Sequence, residues 1–352
     1  MLKFLKLSIV CSLIFGSSSL LHAQIENAGT FSGTVFGDYY WMASHHLDGP
    51  SPQQDIEGKH GFRFRRIYFT HEYQLGADFS TRLRLEMENP GDYTTQASMT
   101  PGVKDAYLKW KPGRHSLYLG ISGTPTWDVV ERVWGYRSLE QTPLDLQGYG
   151  SSRDFGIAAK GPLNEEGTLK YQAMYGNGAG NASEINRGKK FMFSLAYYPD
   201  NYWTFQVYGD YNDRPDNSEW YTYQVFASYE SDAFSVGSLL AHQVRDNNVG
   251  EDDQTIASVF AHFPFDDQMK GVLRLDHTFN NNPNGNSIDN LPFSSSADAT
   301  FFLAAVDIQP VEDVNVHLMP NIETVFYNNS QLPGNNTPDA NLLARMTFSY
   351  GF

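Results

Sequence analysis

The sequence predicts an all-β fold, a transmembrane antiparallel β-barrel of about 16 strands with one connection folded inward as a constriction. Three observations predict it. Segments of about ten residues alternate apolar and polar side chains, the length a tilted strand needs to cross a bilayer. The links between them alternate short and long, and the chain ends on an aromatic strand finishing in Phe352.

Before the first strand, Lys3 and Lys6 precede an apolar run at 7–15 and a small, polar stretch at 17–23. This reads as a secretory signal at 1–23, cleaved after Ala23, leaving 24–352 to form the barrel. The single cysteine, Cys11, falls inside that signal. Disulfide staples, thiol catalysis and a Cys-ligated metal are thereby excluded from the rest of the chain.

Strands are expected to start near 29, 62, 79, 103, 114, 153, 167, 189, 202, 219, 233, 254, 268, 299, 313 and 340. At 81–88, Leu83, Leu85 and Met87 share one face, against Arg82, Arg84, Glu86 and Glu88 on the other. At 202–211, Trp203, Phe205, Val207 and Tyr211 oppose Thr204, Gln206, Tyr208 and Asp210. The last segment is the cleanest: Leu342, Ala344, Met346, Phe348, Tyr350 and Phe352 form one stripe. Short links fall at 111–114, 162–167, 199–201, 231–232, 265–268 and 310–313, and long ones at 44–60, 90–102, 124–152, 176–188, 280–297 and 328–339. Short turns on one rim and long loops on the other are the layout of an outer-membrane barrel with both ends in the periplasm.

The link at 124–152 is the longest, and its middle has helical character. Asp128 followed by Glu131 resembles a capping box, and Val129, Val130, Val133 and Trp134 make a small apolar face. Such a face has nothing to cover in water, so the segment is expected to fold inward and narrow the pore.

Composition agrees. Aromatics reach 14% while hydrophobic residues stop at 41%, which fits no helical membrane bundle. Without Lys3 and Lys6, 23 basic residues face 40 acidic ones, a net charge of −17 that argues against nucleic-acid binding. The imbalance is uneven: 24–190 hold 18 basic and 19 acidic residues, 191–352 hold 5 and 21.

Several stretches resemble the phosphate-selective porin O and P family of Gram-negative bacteria: Gly61-Phe62-Arg63-Phe64-Arg65-Arg66, Val103-Lys104-Asp105-Ala106-Tyr107-Leu108, Ser151-Ser152-Arg153-Asp154-Phe155-Gly156-Ile157, Tyr171-Gln172-Ala173 leading to Asn177-Gly178, and Met319-Pro320-Asn321. The resemblance implies a sixteen-stranded outer-membrane porin, assembled as a homotrimer, that passes small hydrophilic solutes and anions such as phosphate. The sequence departs from that family in its acidity and in lacking a dense lysine and arginine ladder over its whole length.

With apolar faces toward lipid, the opposite faces point into the lumen. Arg63, Arg65, Arg82, Arg84, Lys109, Lys160 and Lys170 then come from the first half, and Asp210, Glu230, Asp276, Asp307 and Glu323 from the second. Two walls of opposite sign would set a field across the pore. The pore-lining, anion-contacting candidates are Arg63, Arg65, Arg82, Arg84, Lys109, Arg132 and Arg137, the last two on the inward segment. The competing reading of Arg82 and Arg84 is that they pair with Glu86, Glu88 or Glu72 and brace the wall. Asp128, Glu131 and Glu140 stand close enough to neutralise Arg132 and Arg137. Arg65 and Arg66 cannot both face inward without a bulge, so one is expected at a rim. If the inward segment packs on the early strands, Arg82, Arg84, Lys109, Arg132 and Arg137 line the narrowest point.

The glycine-rich 177–181 lacks the Gly-Lys-Ser/Thr ending of a phosphate loop and reads as a surface loop. His45-His46 reads as a polar loop tip rather than a metal site. Neither cofactor nor metal is expected. The leading function is a passive channel. Its rivals are a barrel-embedded enzyme of phospholipase type, which needs a serine and histidine poised at the rim, and a structural or adhesive barrel.

Overall fold

The computed structural model describes residues 29–47, 56–91, 93, 96, 98–247 and 250–352. The expected signal at 1–23 and part of the first long connection lie outside them.

Sixteen strands run through the described residues. They are β1 (Thr30–Ser44), β2 (His60–Gln74), β3 (Phe79–Glu88), β4 (Thr100–Trp110), β5 (Ser116–Gly123), β6 (Arg153–Pro162), β7 (Leu169–Gly176) and β8 (Lys190–Tyr197). Then follow β9 (Trp203–Arg214), β10 (Ser218–Glu230), β11 (Ser235–Asn247), β12 (Gly250–Pro264), β13 (Met269–Thr278), β14 (Asp298–Ile308), β15 (Val316–Asn328) and β16 (Asn341–Gly351). Each pairs antiparallel with the next, and β1 with β16 closes the barrel. Every strand begins within four residues of its expected start. Among the described residues no helix is long and apolar enough to cross a membrane.

Closure leaves no free sheet edge along the barrel, so backbone groups can be met by inter-strand bonds, which is what hydrocarbon demands. The final seam is held by reciprocal bonds between Gly33 and Phe352, at 2.9 and 3.1 Å. The period-two faces appear as expected: Leu83, Trp203, Phe205, Val207, Met346 and Phe352 are exposed to the exterior, while Arg345 and Thr347 are buried within.

Besides a register shift in β1 between Met42 and Ser44, two bulges shift the alternation at charged positions of the early wall. Between Arg66 and Phe64 the β1–β2 register slips at Arg65, and between Asp105 and Val103 the β3–β4 register slips at Lys104. An extra residue in a bulge lets two neighbours point the same way. Arg65 and Arg66 therefore both face inward, and neither lies at a rim, contrary to expectation; Lys104 and Asp105 do the same.

The link at 124–152 folds into the barrel and carries two short helices, α1 (Asp128–Trp134) and α2 (Pro143–Leu146). Its side chains Val130, Val133, Trp134, Leu139, Leu144 and Leu146 form one apolar cluster with Phe226, Leu239, Ile256, Phe260, Phe301 and Leu343 of the later strands. The segment's contacts with the early strands are through charged groups, Arg65 of β2 and Lys160 and Arg153 of β6, while its apolar side chains pack mainly on the wall from β10 to β16. The inner face there carries apolar side chains that the period-two reading had left to water.

Candidate functional site

The inward segment starts and ends at one place. Thr124 donates its hydroxyl to the Ser151 carbonyl at 2.7 Å, and its amide reaches the Ser152 carbonyl at 3.2 Å. From this base α1 lays Val130, Val133 and Trp134 against the wall, with the Trp134 ring 5.2 Å from Phe260, edge to face. The capping box does not form. Trp127 holds the cap position without a side-chain bond, and Asp128 instead accepts from Lys160 Nζ at 2.7 Å. Gly135 ends the helix at φ 66°, and its amide returns to the Glu131 carbonyl. A residue with a Cβ would strain there, so the chain turns sharply at that glycine.

Beyond Gly135 the backbone at 138–141 is irregular and buried, so its carbonyls need donors. Three arginines from distant strands supply them. Arg65 of β2 reaches the carbonyls of Ser138 and Leu139, Arg345 of β16 that of Leu139, and Arg274 of β13 that of Gln141. Trp134 Nε1 donates to the Glu140 carbonyl at 2.8 Å. Each arginine is neutralised in turn: Arg65 by Asp38 at 2.6 Å, Arg345 by Glu323, and Arg274 by Asp276, whose two oxygens each lie 3.0 Å from Nε. Buried arginine pairs of this kind are tolerated because the remaining donors are also used. Tyr136 adds a bond to Asp307 at 3.1 Å. Burial pushes the Glu131 carboxyl up, while Arg137, which burial would lower, is held well above its ordinary value by Asp145 and Glu131.

Three of the cavities beside the segment are lined by several charged residues. One of about 240 Å³ lies against the early wall, lined by Arg84, Lys104, Arg137 and Arg153 with Glu131 as its acid. A second, of about 500 Å³, opens toward the short turns of β4 to β9, where Lys111, Arg114, Arg132, Lys160 and Lys170 face Asp128. The third, about 590 Å³, lies under the later strands, with Glu230, Asp232 and Asp307 against Arg132 and Lys270. Arg132 borders the last two.

The predicted site residues fall into three groups. Arg63 and Arg65 lie deep: Arg63 sits 4.2 Å over the Tyr93 ring and bonds its hydroxyl, and Arg65 clamps the segment. Arg82 pairs with Glu72 and lies 3.5 Å from Asp105, and Arg84 bonds the Thr70 hydroxyl at 2.8 Å and lies 3.6 Å from Asp105. Both retain a quarter or more of their side-chain exposure. Lys109 lies 5.7 Å over Tyr118. Arg132 is half-exposed and 3.5 Å from Glu230, whereas Arg137 is held by Asp145. Of the inward acids, Asp276 and Glu323 are buried under the segment beside their arginines, so the two-wall field is weaker than the sequence implied.

The pore-lining candidates did not include Lys104, Arg153, Arg274 or Arg345, although Lys104 and Arg153 stand in the stretches that carry the family resemblance. Lys104 bonds Glu86 at 3.0 Å, and Arg153 joins Asp105 while lying 4.3 Å over Trp127. Arg274 and Asp276, two apart on one strand, share a face, and that spacing was a usable signal. His46 is no loop tip: it is buried and bonded to Asn341 and Asn286. In the glycine-rich loop, the Gly178 amide donates to the Asp154 carboxylate at 2.8 Å. Among the described residues no group of three or more His, Cys, Asp or Glu is placed to hold a metal ion.

A closed barrel of sixteen strands, spanned internally by a folded connection, has the architecture of an outer-membrane channel. The profile of the family described as Gram-negative porin matches residues 10–307, and the chain belongs to that family, as an outer-membrane protein. Solved porins agree in fold. The anion-selective porin from Comamonas acidovorans superposes with TM-score 0.64 at 13% identity, covering 92% of this chain and 99% of that one. OmpF of Salmonella typhi, in complex with daunomycin, gives 0.62 at 14%, covering 93% and 99%. The trimer form of OmpT from Vibrio cholerae gives 0.57 at 11%, covering 92% and 98%. No curated protein matches the sequence.

Proposed function

We propose that the protein is a passive channel for small hydrophilic solutes with a modest preference for anions, phosphate among them. The observation that carries this reading is the sign of the early-wall cavities. Four basic residues and one acidic residue line the first, though Lys104, Arg137 and Arg153 are each also paired with an acid behind the lining. Five basic and one acidic line the second, where Lys111, Arg114 and Lys170 have no carboxylate within ion-pair reach among the described residues. Ions in a narrow, low-dielectric passage respond to the charges that line it more than to distant loops. Homotrimeric assembly belongs to the same proposal, supported by the trimer form of the OmpT relative, as does export through a signal at 1–23. Family membership favours a channel over a phospholipase-like enzyme or an adhesive barrel. Planar-bilayer recording of the purified protein tests it: discrete conductance steps and a reversal potential displaced toward the anion equilibrium value are expected. Absence of steps in folded protein, or a cation-side potential, would overturn it.

A further inference from the structure

We propose that the cavity of about 500 Å³ at the short-turn end is a binding subsite for amphipathic monoanions, compact ring-bodied molecules bearing a single carboxylate. The proposal deepens the channel reading and rests on it for access.

Three features of the cavity point to this class. Its floor is apolar and aromatic: Tyr118, Tyr171 and Tyr198 come together with Val129, Pro162 and Ala196. A fully hydrated inorganic anion gains nothing from such a floor, whereas a ring body loses water against it. The cations are, secondly, arranged around the rings. Lys160 Nζ stands 4.9 Å from the Tyr118 centroid and Lys170 Nζ 4.8 Å from that of Tyr198, with Arg132 5.9 Å from the same ring. Ring faces hold ammonium and guanidinium groups in place without neutralising them.

Thirdly, the cations differ in what already neutralises them. Lys160 is taken by Asp128 at 2.7 Å. Lys170 is exposed and has no carboxylate within ion-pair reach among the described residues, and Arg132 has only Glu230 at 3.5 Å, with about half its side chain open. Lys111 and Arg114 also have no carboxylate within ion-pair reach among the described residues, but only Lys170 and Arg132 flank one tyrosine, and that pair is the one placed to receive a carboxylate against a ring. The ligand's apolar body then lies against Val129 and Pro162. A neutral ring compound would leave both cations unanswered, and acetate would leave the floor bare.

Sodium benzoate, sodium acetate and sodium phosphate separate these alternatives. Calorimetry on the detergent-folded full-length barrel reads binding, and planar bilayers with the same salts on both sides read current. Benzoate is expected to bind and to reduce or interrupt the current at concentrations at least tenfold below acetate or phosphate. Lys170→Gln combined with Arg132→Gln should weaken benzoate at least tenfold in a variant that keeps wild-type heat-modifiable mobility, and Tyr198→Leu should weaken it with both cations retained. Equal binding of the three anions, or unchanged benzoate binding in the folded double variant, overturns the subsite. Benzoate binding without any conductance would sink the channel reading and leave the subsite standing; conductance without benzoate binding would do the reverse.

Discussion

Arg345 is the side chain on which most of the interior converges. It ties Glu323, the Asn321 amide oxygen and the Leu139 carbonyl into one buried node between β15, β16 and the inward segment. Removing one partner of a buried pair strands the other charge, at about 3–5 kcal/mol. Arg345→Gln should therefore lower the temperature of the heat-modifiable gel shift markedly, and Arg345→Gln with Glu323→Gln should recover part of it. A single variant as stable as wild type would show that Glu323 is not held by Arg345. At the seam, a Cβ added to Gly33 would come within 2.3 Å of the Phe352 ring, which lies over that glycine. Bare backbone there lets an aromatic ring cover the strand pair. Gly33→Val should displace the ring and cut outer-membrane levels, as should deletion of Phe352; normal levels of both variants in fractionated membranes would count against the terminal strand as an assembly signal.

The inward segment joins that node to the rest of the barrel, and replacing 127–140 with a short Gly-Ser link tests it as a unit. Single-channel conductance should rise, and stability should fall because Trp134 no longer covers Phe260; losing a buried tryptophan costs about 3–5 kcal/mol. Unchanged conductance in the folded variant would place the constriction elsewhere. The strands themselves were legible because lipid enforces period two on each of them separately. Which inward residues meet one another was not, since Arg65, Arg274 and Arg345 reach the same turn from β2, β13 and β16, and no local pattern links those positions. The bulges at Arg65 and Lys104 also reset the alternation where the sequence reading relied on it. The loop between β13 and β14 adds a pH-sensitive element. Leu291 and Phe293 are buried, the Asn290 amide bonds the Gly91 carbonyl, and burial pushes the Asp289 carboxyl up to about 6. A carboxyl raised above its unfolded value of about 4 binds more protons when packed, so the loop is most stable below pH 4, weakens between 4 and 6, and is level above. Hydrogen exchange at 285–293 should accelerate across that window beyond the chemical rate, and Asp289→Asn should remove the excess; an identical profile in the variant would exclude Asp289 as the cause.

Across the whole molecule, a net charge of −17 outside the expected signal coexists with basic cavities on the early wall, and the two make opposite predictions for ion selectivity. Acids such as Glu251 belong to the far ends of long strands, and in physiological salt their field fades within about 8 Å. Charges beside the inward segment act where ions lose part of their water and the low-dielectric wall concentrates the field. The later wall adds less than its acid count implies, because Asp276 and Glu323 are buried beside Arg274 and Arg345. The early wall should therefore set the sign. Arg82 and Arg84 sharpen the test, since each keeps partial exposure while lying 3.5 and 3.6 Å from Asp105. If they contact passing ions, Arg82→Glu with Arg84→Glu should move the reversal potential in a salt gradient toward cations. If they only brace the wall, removing two of the three arginines around Asp105, with Arg153 left in place, should lower the heat-modification temperature and leave the potential where it was. Measuring both quantities on the same preparation decides between the two roles, and a wild-type potential already on the cation side would remove the anion preference altogether.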